Sequence, residues 1–160
     1  MKVCIIYDSI TGNTKKLAET IKEKFSKDIV EKELADIIFI GSWTDKGNPS
    51  EKIQKELLNI KNKKIFYFGT CGFGGNEEYF ALLFSRARKF IDESNEIIGY
   101  FYCQGKMPIS IKERYEQMLK SNPNDEKIKK SIENFENALA HPNEDDLNEL
   151  KKAIDKAIKL

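Results

Sequence analysis

Three hydroxyls, Ser9, Thr11 and Thr14, cluster around Gly12 and Asn13, directly after the apolar run Val3-Cys4-Ile5-Ile6-Tyr7. Such residues at the junction of a buried strand and an amphipathic helix build an anion cradle. Backbone N–H groups at the helix start and the three hydroxyls can converge on one phosphate, and the helix dipole favours negative charge there. Gly12 lets the backbone come close, and Asn13 tolerates the dihedrals such a turn needs. Capping alone does not require three hydroxyls plus Gly-Asn.

Three further segments follow apolar runs: Gly41-Ser42-Trp43-Thr44-Asp45-Lys46-Gly47, Gly69-Thr70-Cys71-Gly72-Phe73-Gly74-Gly75-Asn76 and Cys103-Gln104-Gly105-Lys106-Met107-Pro108. The first two place aromatic rings among glycines, suited to a flat ring held against backbone. A phosphate plus a planar ring describes flavin mononucleotide (FMN). Cys71 has no resolving cysteine spaced for thiol exchange and reads as packing. His141, the one histidine, precedes Pro142 at a helix start and reads as a neighbour of the cap. With no Cys-x-x-Cys, metal ligation is not expected.

The elements that position these segments alternate. Apolar runs at 2–8, 36–41, 64–69 and 96–103 read as buried parallel strands, apolar on consecutive positions as when helices cover both sheet faces. Leu17, Ala18, Ile21 and Phe25 form one helical stripe. Asn48-Pro49-Ser50-Glu51 predicts the start of a second helix, as cap, first-turn proline and acid, continuing through Ile53 and Leu57. Phe80, Leu83, Phe84, Ala87 and Ile91 mark a third. The pattern is α/β, a doubly wound parallel sheet. Ile29-Val30 leaves room only for a short edge strand, or none. Tyr100-Phe101-Tyr102 reads as sheet core. Three extra helical patterns follow Cys103, marked by Ile111, Tyr115, Met118 and Leu119, by Ile128, Ile132, Phe135 and Leu139, and by Leu147, Leu150, Ile154, Ala157 and Ile158. Without repeats or linkers, 1–160 reads as one domain. In an open parallel sheet, ligands bind beyond the carboxyl ends of the strands, where all four distinctive segments fall.

Composition narrows the function. Hydrophobic residues at 40% and charged residues at 33% describe a soluble globular chain with no run approaching a membrane span. The 27 basic and 26 acidic residues are interspersed and only three are arginines, so nucleic acid is not an expected partner. Three unpaired cysteines and no signal-peptide pattern point to the cytoplasm. Clustered strand-end aspartates, a Gly-x-x-x-x-Gly-Lys-Ser/Thr loop and a Gly-x-Gly-x-x-Gly run are all missing.

On these residues the chain resembles the flavodoxin family over roughly 2–110. Ser-x-Thr-Gly-Asn-Thr is similar to the family's phosphate loop, and the segments at 41–47 and 69–75 fall where its two isoalloxazine loops fall. The fuller pattern, with Cys-Gln-Gly-Lys-Met-Pro and His-Pro-Asn, resembles small bacterial flavodoxin-like proteins, some of which accompany bilirubin reductases. The resemblance implies a flavodoxin-like sheet of order 2-1-3-4-5, its second strand short or absent, with extra C-terminal helices. It implies FMN, its phosphate held by Ser9, Thr11, Gly12, Asn13 and Thr14. Trp43 would shield one ring face, with Ser42 beside it. The backbone of Thr44, Asp45, Lys46 and Gly47 would meet the N5 edge. Thr70, Cys71, Gly72, Phe73, Gly74 and Gly75 would hold the other side and the pyrimidine edge. No side chain need be a general acid or base.

The chain departs from the family in lacking a glycine directly after Trp43, which is expected to hinder the peptide rotation at N5, and in its balanced charge. Three functions stand: an FMN electron carrier between a reductase and a partner enzyme, an FMN-dependent NAD(P)H or quinone reductase with its own substrate, and a non-redox binding module. A lysine such as Lys46 or Lys106 about 6 Å from the N1 edge, at an effective dielectric of about 20, favours an anionic reduced ring by roughly 3 kcal/mol, on the order of 0.1 V. The expectation is a reduced-state couple less negative than in acidic flavodoxins. Spectroelectrochemistry reads it, and a couple near the hydrogen electrode's potential at pH 7 would refute it.

Overall fold

The computed structural model describes residues 1–159. Its strands are β1 (Val3–Asp8), β2 (Ile37–Asp45), β3 (Asn48–Pro49), β4 (Lys64–Cys71) and β5 (Glu96–Gln104). Four of them run parallel in the order β1-β2-β4-β5, and β3 folds back antiparallel on the end of β2. The Ile29-Val30 run supplies a single bridge, Val3 to Ile29, closed by the Val3 N–H on the Asp28 carbonyl and the Val30 N–H on the Val3 carbonyl, both 2.9 Å. Two apolar residues before Glu31 cannot sustain a longer strand, so β1 is almost an edge.

The helices are α1 (Asn13–Lys24), α2 (Glu51–Asn59), α3 (Glu77–Ala87), α4 (Ile109–Ser121), α5 (Glu126–Ala138) and α6 (Glu144–Ile158). One sheet face packs Val3, Phe39, Phe66 and Phe68 against Leu17 and Ile21 of α1 and Leu150 and Ile154 of α6. The other packs Ile38, Ile40, Ile65 and Tyr67 against Ile53 and Leu57 of α2 and Leu83 and Phe84 of α3. Each such side chain is worth roughly 1.5–3 kcal/mol when fully buried, which is why both faces are covered. Helices α4 and α5 belong to neither core. They pack on each other, joined by a Lys112–Glu136 ion pair at 3.4 Å, and α4 has no fully buried residue. They form a hairpin inserted between β5 and the closing helix α6.

Four expectations are corrected. Strand β2 does not stop at Gly41 but runs on to Asp45, so the 41–47 segment is mostly strand. Asn48 and Pro49 lie in β3, and the cap of α2 is Ser50, whose hydroxyl accepts the Ile53 N–H at 3.4 Å. Ile91 lies beyond α3, after a short 3-10 turn over Arg88–Phe90. Tyr100 is not core, being 38% exposed on the β5 edge with its ring stacked on Phe84 at 4.2 Å.

Two cross-strand pairs shape the carboxyl end of the sheet. Phe68 lies over Gly41, where a methyl would meet its ring at 2.1 Å, and Tyr102 lies over Gly69, where the distance would be 2.3 Å. The glycines make room for rings that pack the layer just beneath the site. Gly69→Ala is expected to cost about 1–3 kcal/mol by overpacking, read as a lower urea midpoint, and an unchanged midpoint would contradict this packing.

Candidate FMN-binding site

The start of α1 is electrostatically unlike most of the other helices. Helices α2, α3, α5 and α6 are capped by Ser50, Asn76, Asp125 and Asn143 and open on acidic residues. The N-cap of α1 is Gly12 at φ 88°, which has no side chain to accept a cap hydrogen bond, and the first turn contains no acid. It carries Lys15 instead, a charge the helix dipole disfavours at that end. A methyl at Gly12 would meet nothing within 4 Å. Free N–H donors, an open approach and a nearby cation together fit a phosphate.

Hydrogen bonds bring the other segments to this point. The buried Thr14 hydroxyl pairs with the Thr70 hydroxyl at 2.9 Å. The Asn13 amide donates to the Lys106 carbonyl at 2.8 Å, and the Thr44 hydroxyl donates to the Thr70 carbonyl at 2.7 Å. The Ser9 hydroxyl accepts the Lys15 N–H at 3.2 Å. Thus Thr14 and Asn13 spend side-chain hydrogen bonds tying the cradle to β4 and to the loop after β5, and Thr11 sits half-buried beside Gly12. Ser42 is buried, its hydroxyl donating to the Trp43 carbonyl at 2.6 Å and accepting the Ser50 N–H at 2.8 Å.

Trp43 reaches back to β1, where its indole N–H donates to the Asp8 carboxylate at 2.9 Å. Partial burial pushes the Asp8 carboxyl up, but hydrogen bonds from Ser50 and Trp43 and the charge of Lys52 outweigh it, leaving it below its ordinary value. Past Trp43, Asp45 and Asn48 pair across a two-residue turn in which Lys46 (φ 50°) and Gly47 (φ 83°) are both left-handed. That is the geometry of tight hairpins. The Arg86 guanidinium packs on this turn, so a methyl at Gly47 would fall 2.0 Å from Nη1. Hairpin pairing and the Thr44 hydrogen bond hold the backbone here.

In the third segment Thr70 and Cys71 end β4. Burial pushes the Cys71 thiol up to about 12, and its Sγ donates to the Phe73 carbonyl at 2.7 Å, which makes it a packing group rather than a nucleophile. Gly72 is half-buried, while Phe73, Gly74 and Gly75 form the exposed rim, Gly75 at φ 114°. Lys46 and Lys106 are both exposed, so solvent screens their effect on any bound ring well below the buried-pair figure. Grooves of about 890 Å³ at the opposite end of the sheet and about 960 Å³ along the β5 edge lie elsewhere. The candidate site is an open rim of backbone at the strand ends.

Four residues here went unassigned in the sequence. Asp8 and Arg86 give no local signal of a role at this site. Gln104 and Asn134 converge on the Gly72 carbonyl, at 2.9 and 3.0 Å, and Asn134 lies 62 residues away on a surface helix. His141 behaves as expected of a cap neighbour, its Nδ1 lying 2.7 Å from the Asp146 carboxylate that completes the capping box of α6.

A doubly wound parallel sheet with an uncapped helix start at its carboxyl end defines a nucleotide-binding α/β protein. A flavodoxin domain model matches residues 4–155, and the chain belongs to the flavodoxin family, whose fold is an FMN-binding, electron-transfer fold. It is 39% identical, over 93% of its length and 92% of the relative's, to the flavodoxin-like domain-containing protein BilS of Clostridioides difficile (strain CD3). Oxidised flavodoxin 2 from Bacillus cereus shares the fold over 100% of both chains, with a TM-score of 0.56 and 20% identity. A flavoprotein from Lactobacillus acidophilus NCFM, solved in complex with FMN, aligns with 63% of this chain and 92% of its own at a TM-score of 0.50 and 20% identity.

The Asp8–Trp43 contact has a pH signature. An unfolded aspartate titrates near ~3.9, and the folded Asp8 lies below its ordinary value. Its stabilisation is therefore complete above the unfolded value and is lost as pH falls through the folded one. Trp43 is the one tryptophan, so its fluorescence should report this acid transition and the transition should vanish in Asp8→Asn. A transition retained in that variant would contradict the contact.

Proposed function

We propose that this protein binds FMN through the start of α1 and carries electrons in the cytoplasm between a reductase and a partner enzyme. The observation that carries the reading is the start of α1, where Gly12 is left-handed, the N-cap residue offers no side chain to the first N–H groups and Lys15 stands in place of an acid. Backbone N–H groups from Gly12 to Thr14 would take the phosphate, with the Ser9 and Thr11 hydroxyls beside them. Trp43, oriented by Asp8, would lie along one ring face, the 44–47 hairpin at the N5 edge, and the 70–75 rim at the pyrimidine edge. The bound flavin supplies the redox chemistry. The chain's own residues orient it, exclude water from one side and leave an edge open to a partner.

The carrier reading is supported by this open edge, since the candidate site is a rim and not a cavity. Resemblance to flavodoxin-like proteins that accompany bilirubin reductases makes a reductase of that kind the first electron acceptor to try. A second reading, an FMN-dependent NAD(P)H or quinone reductase, draws on the inserted α4–α5 hairpin, which reaches the rim at Gly72 through Asn134 and could wall one side of a substrate. Rapid reduction by NADH or NADPH with no added protein would favour that second reading.

The test is titration of apoprotein with FMN and with riboflavin. FMN should bind at least about a hundredfold more tightly, the worth of two hydrogen bonds to a charged group. Equal affinities, or no uptake of either, would remove the phosphate cradle from the account.

A further inference from the structure

The Gly72 carbonyl is held by two amides at once. The Gln104 side-chain NH2 donates to it at 2.9 Å and also to the Asn134 Oδ1 at 3.0 Å, while the Asn134 NH2 donates to the same carbonyl at 3.0 Å. Turning either amide over would set an oxygen against an oxygen or an NH2 against an NH2, so the three-way arrangement fixes the orientation of each. The flanking carbonyls are tied as well, Cys71 by the Gly105 N–H at 2.9 Å and Phe73 by the Cys71 thiol at 2.7 Å. Met107 packs on Gly72, its Sδ lying 2.5 Å from where a methyl would sit.

Three successive carbonyls are thus drawn toward β5, α5 and the end of β4. A trans peptide places its N–H opposite its C=O, so the N–H groups of Gly72, Phe73 and Gly74 face the other way. Among the described residues none of the three has a protein acceptor. They are unpaired backbone donors at the rim. One of the two side chains that set this polarity comes from the inserted hairpin.

We propose that Asn134 is a positioning residue: with Gln104 it pins the Gly72–Phe73 peptide so that the rim presents N–H donors to the bound flavin, and it thereby sets both FMN affinity and midpoint potential. This rests on the FMN reading above. Donors aimed at a ring favour its more negatively charged, reduced form. Releasing the Gly72 carbonyl lets an oxygen turn toward the ring and does the opposite.

The experiment compares wild type, Asn134→Ala, Asn134→Gln and Phe135→Leu by FMN titration, spectroelectrochemistry and thermal unfolding. Phe135 is buried within the hairpin at 1% exposure and makes no hydrogen bond to the rim, so Phe135→Leu loosens the hairpin while keeping the amide pair. Asn134→Ala should bind FMN about tenfold more weakly, the worth of one hydrogen bond, with a more negative midpoint. Asn134→Gln, which keeps the donor, should recover part of both. Phe135→Leu should lower the unfolding temperature and leave the potential unchanged. If wild type binds FMN and Asn134→Ala matches it in affinity and potential, or if Phe135→Leu shifts the potential as far, the proposal is overturned while the FMN reading stands. Wild type that takes up no FMN overturns the functional reading itself.

Discussion

The first turn of α1 directs backbone N–H groups at the carboxyl end of β1, where the Ser9 hydroxyl takes the Lys15 N–H and Gly12 at the N-cap offers no side chain to the others. A glycine N-cap costs only about a few tenths of a kcal/mol relative to a good cap, and Lys15 adds an unfavourable charge at the positive end of the dipole. The other helix starts that carry a side-chain cap also carry an acid, as at Asn143 and Asp146 of α6. Helix α4, which opens at Pro108, also lacks a cap and an acid, but α1 adds a left-handed Gly12 with open space around it at the end of β1, which fits a place for an anion. Gly12 presents no side chain to the approach, and Thr14 and Asn13 turn their polar groups inward to neighbouring strands and loops.

Those inward bonds make one unit of four loops. The Thr14 and Thr70 hydroxyls pair, the Thr70 carbonyl receives Thr44, Asp8 receives Trp43, the Lys106 carbonyl receives Asn13, and the Gly72 carbonyl receives Gln104 and Asn134. Each pair joins segments distant in sequence, so the rim is held by the sheet and not by local loop structure. The inserted hairpin enters the same unit from outside the two hydrophobic cores. A family fold with an exposed reactive edge thereby acquires a helical element in contact with the loop expected at the flavin's pyrimidine side.

Much of this was legible in the residues. The strand run ending at Asp8, the Gly-Asn turn and the stripe from Leu17 to Phe25 announce β1, the turn after it and α1, because each depends only on neighbours in sequence. Strand β2 was less so. Ser42 to Lys46 is polar enough to read as a loop, yet Ser42 and Trp43 pair with Gly69 and Thr70 within the sheet, only Thr44 and Asp45 enter the hairpin with β3, and Lys-Gly is a weaker turn signal than Asn-Gly. The hairpin nature of α4–α5 was hidden because both helices show amphipathic stripes that pack on each other instead of on the sheet. Asn134 and Arg86 could not be found at all, since their partners lie across the fold and neither residue type is unusual on a helix. Tyr100 misled for a related reason. An apolar run on an edge strand has the same composition as one in the sheet centre.

The central claim is that a doubly charged phosphate fills the start of α1. Phosphorus NMR of the FMN-loaded protein across pH 5 to 8 tests it most directly, because a free phosphomonoester changes charge near pH ~6. The account predicts a bound resonance that is displaced from free FMN and does not move with pH, its dianion held by the N–H groups of α1. A resonance that titrates as the free ligand does would mean the phosphate lies in solvent, and the cradle would have to be abandoned.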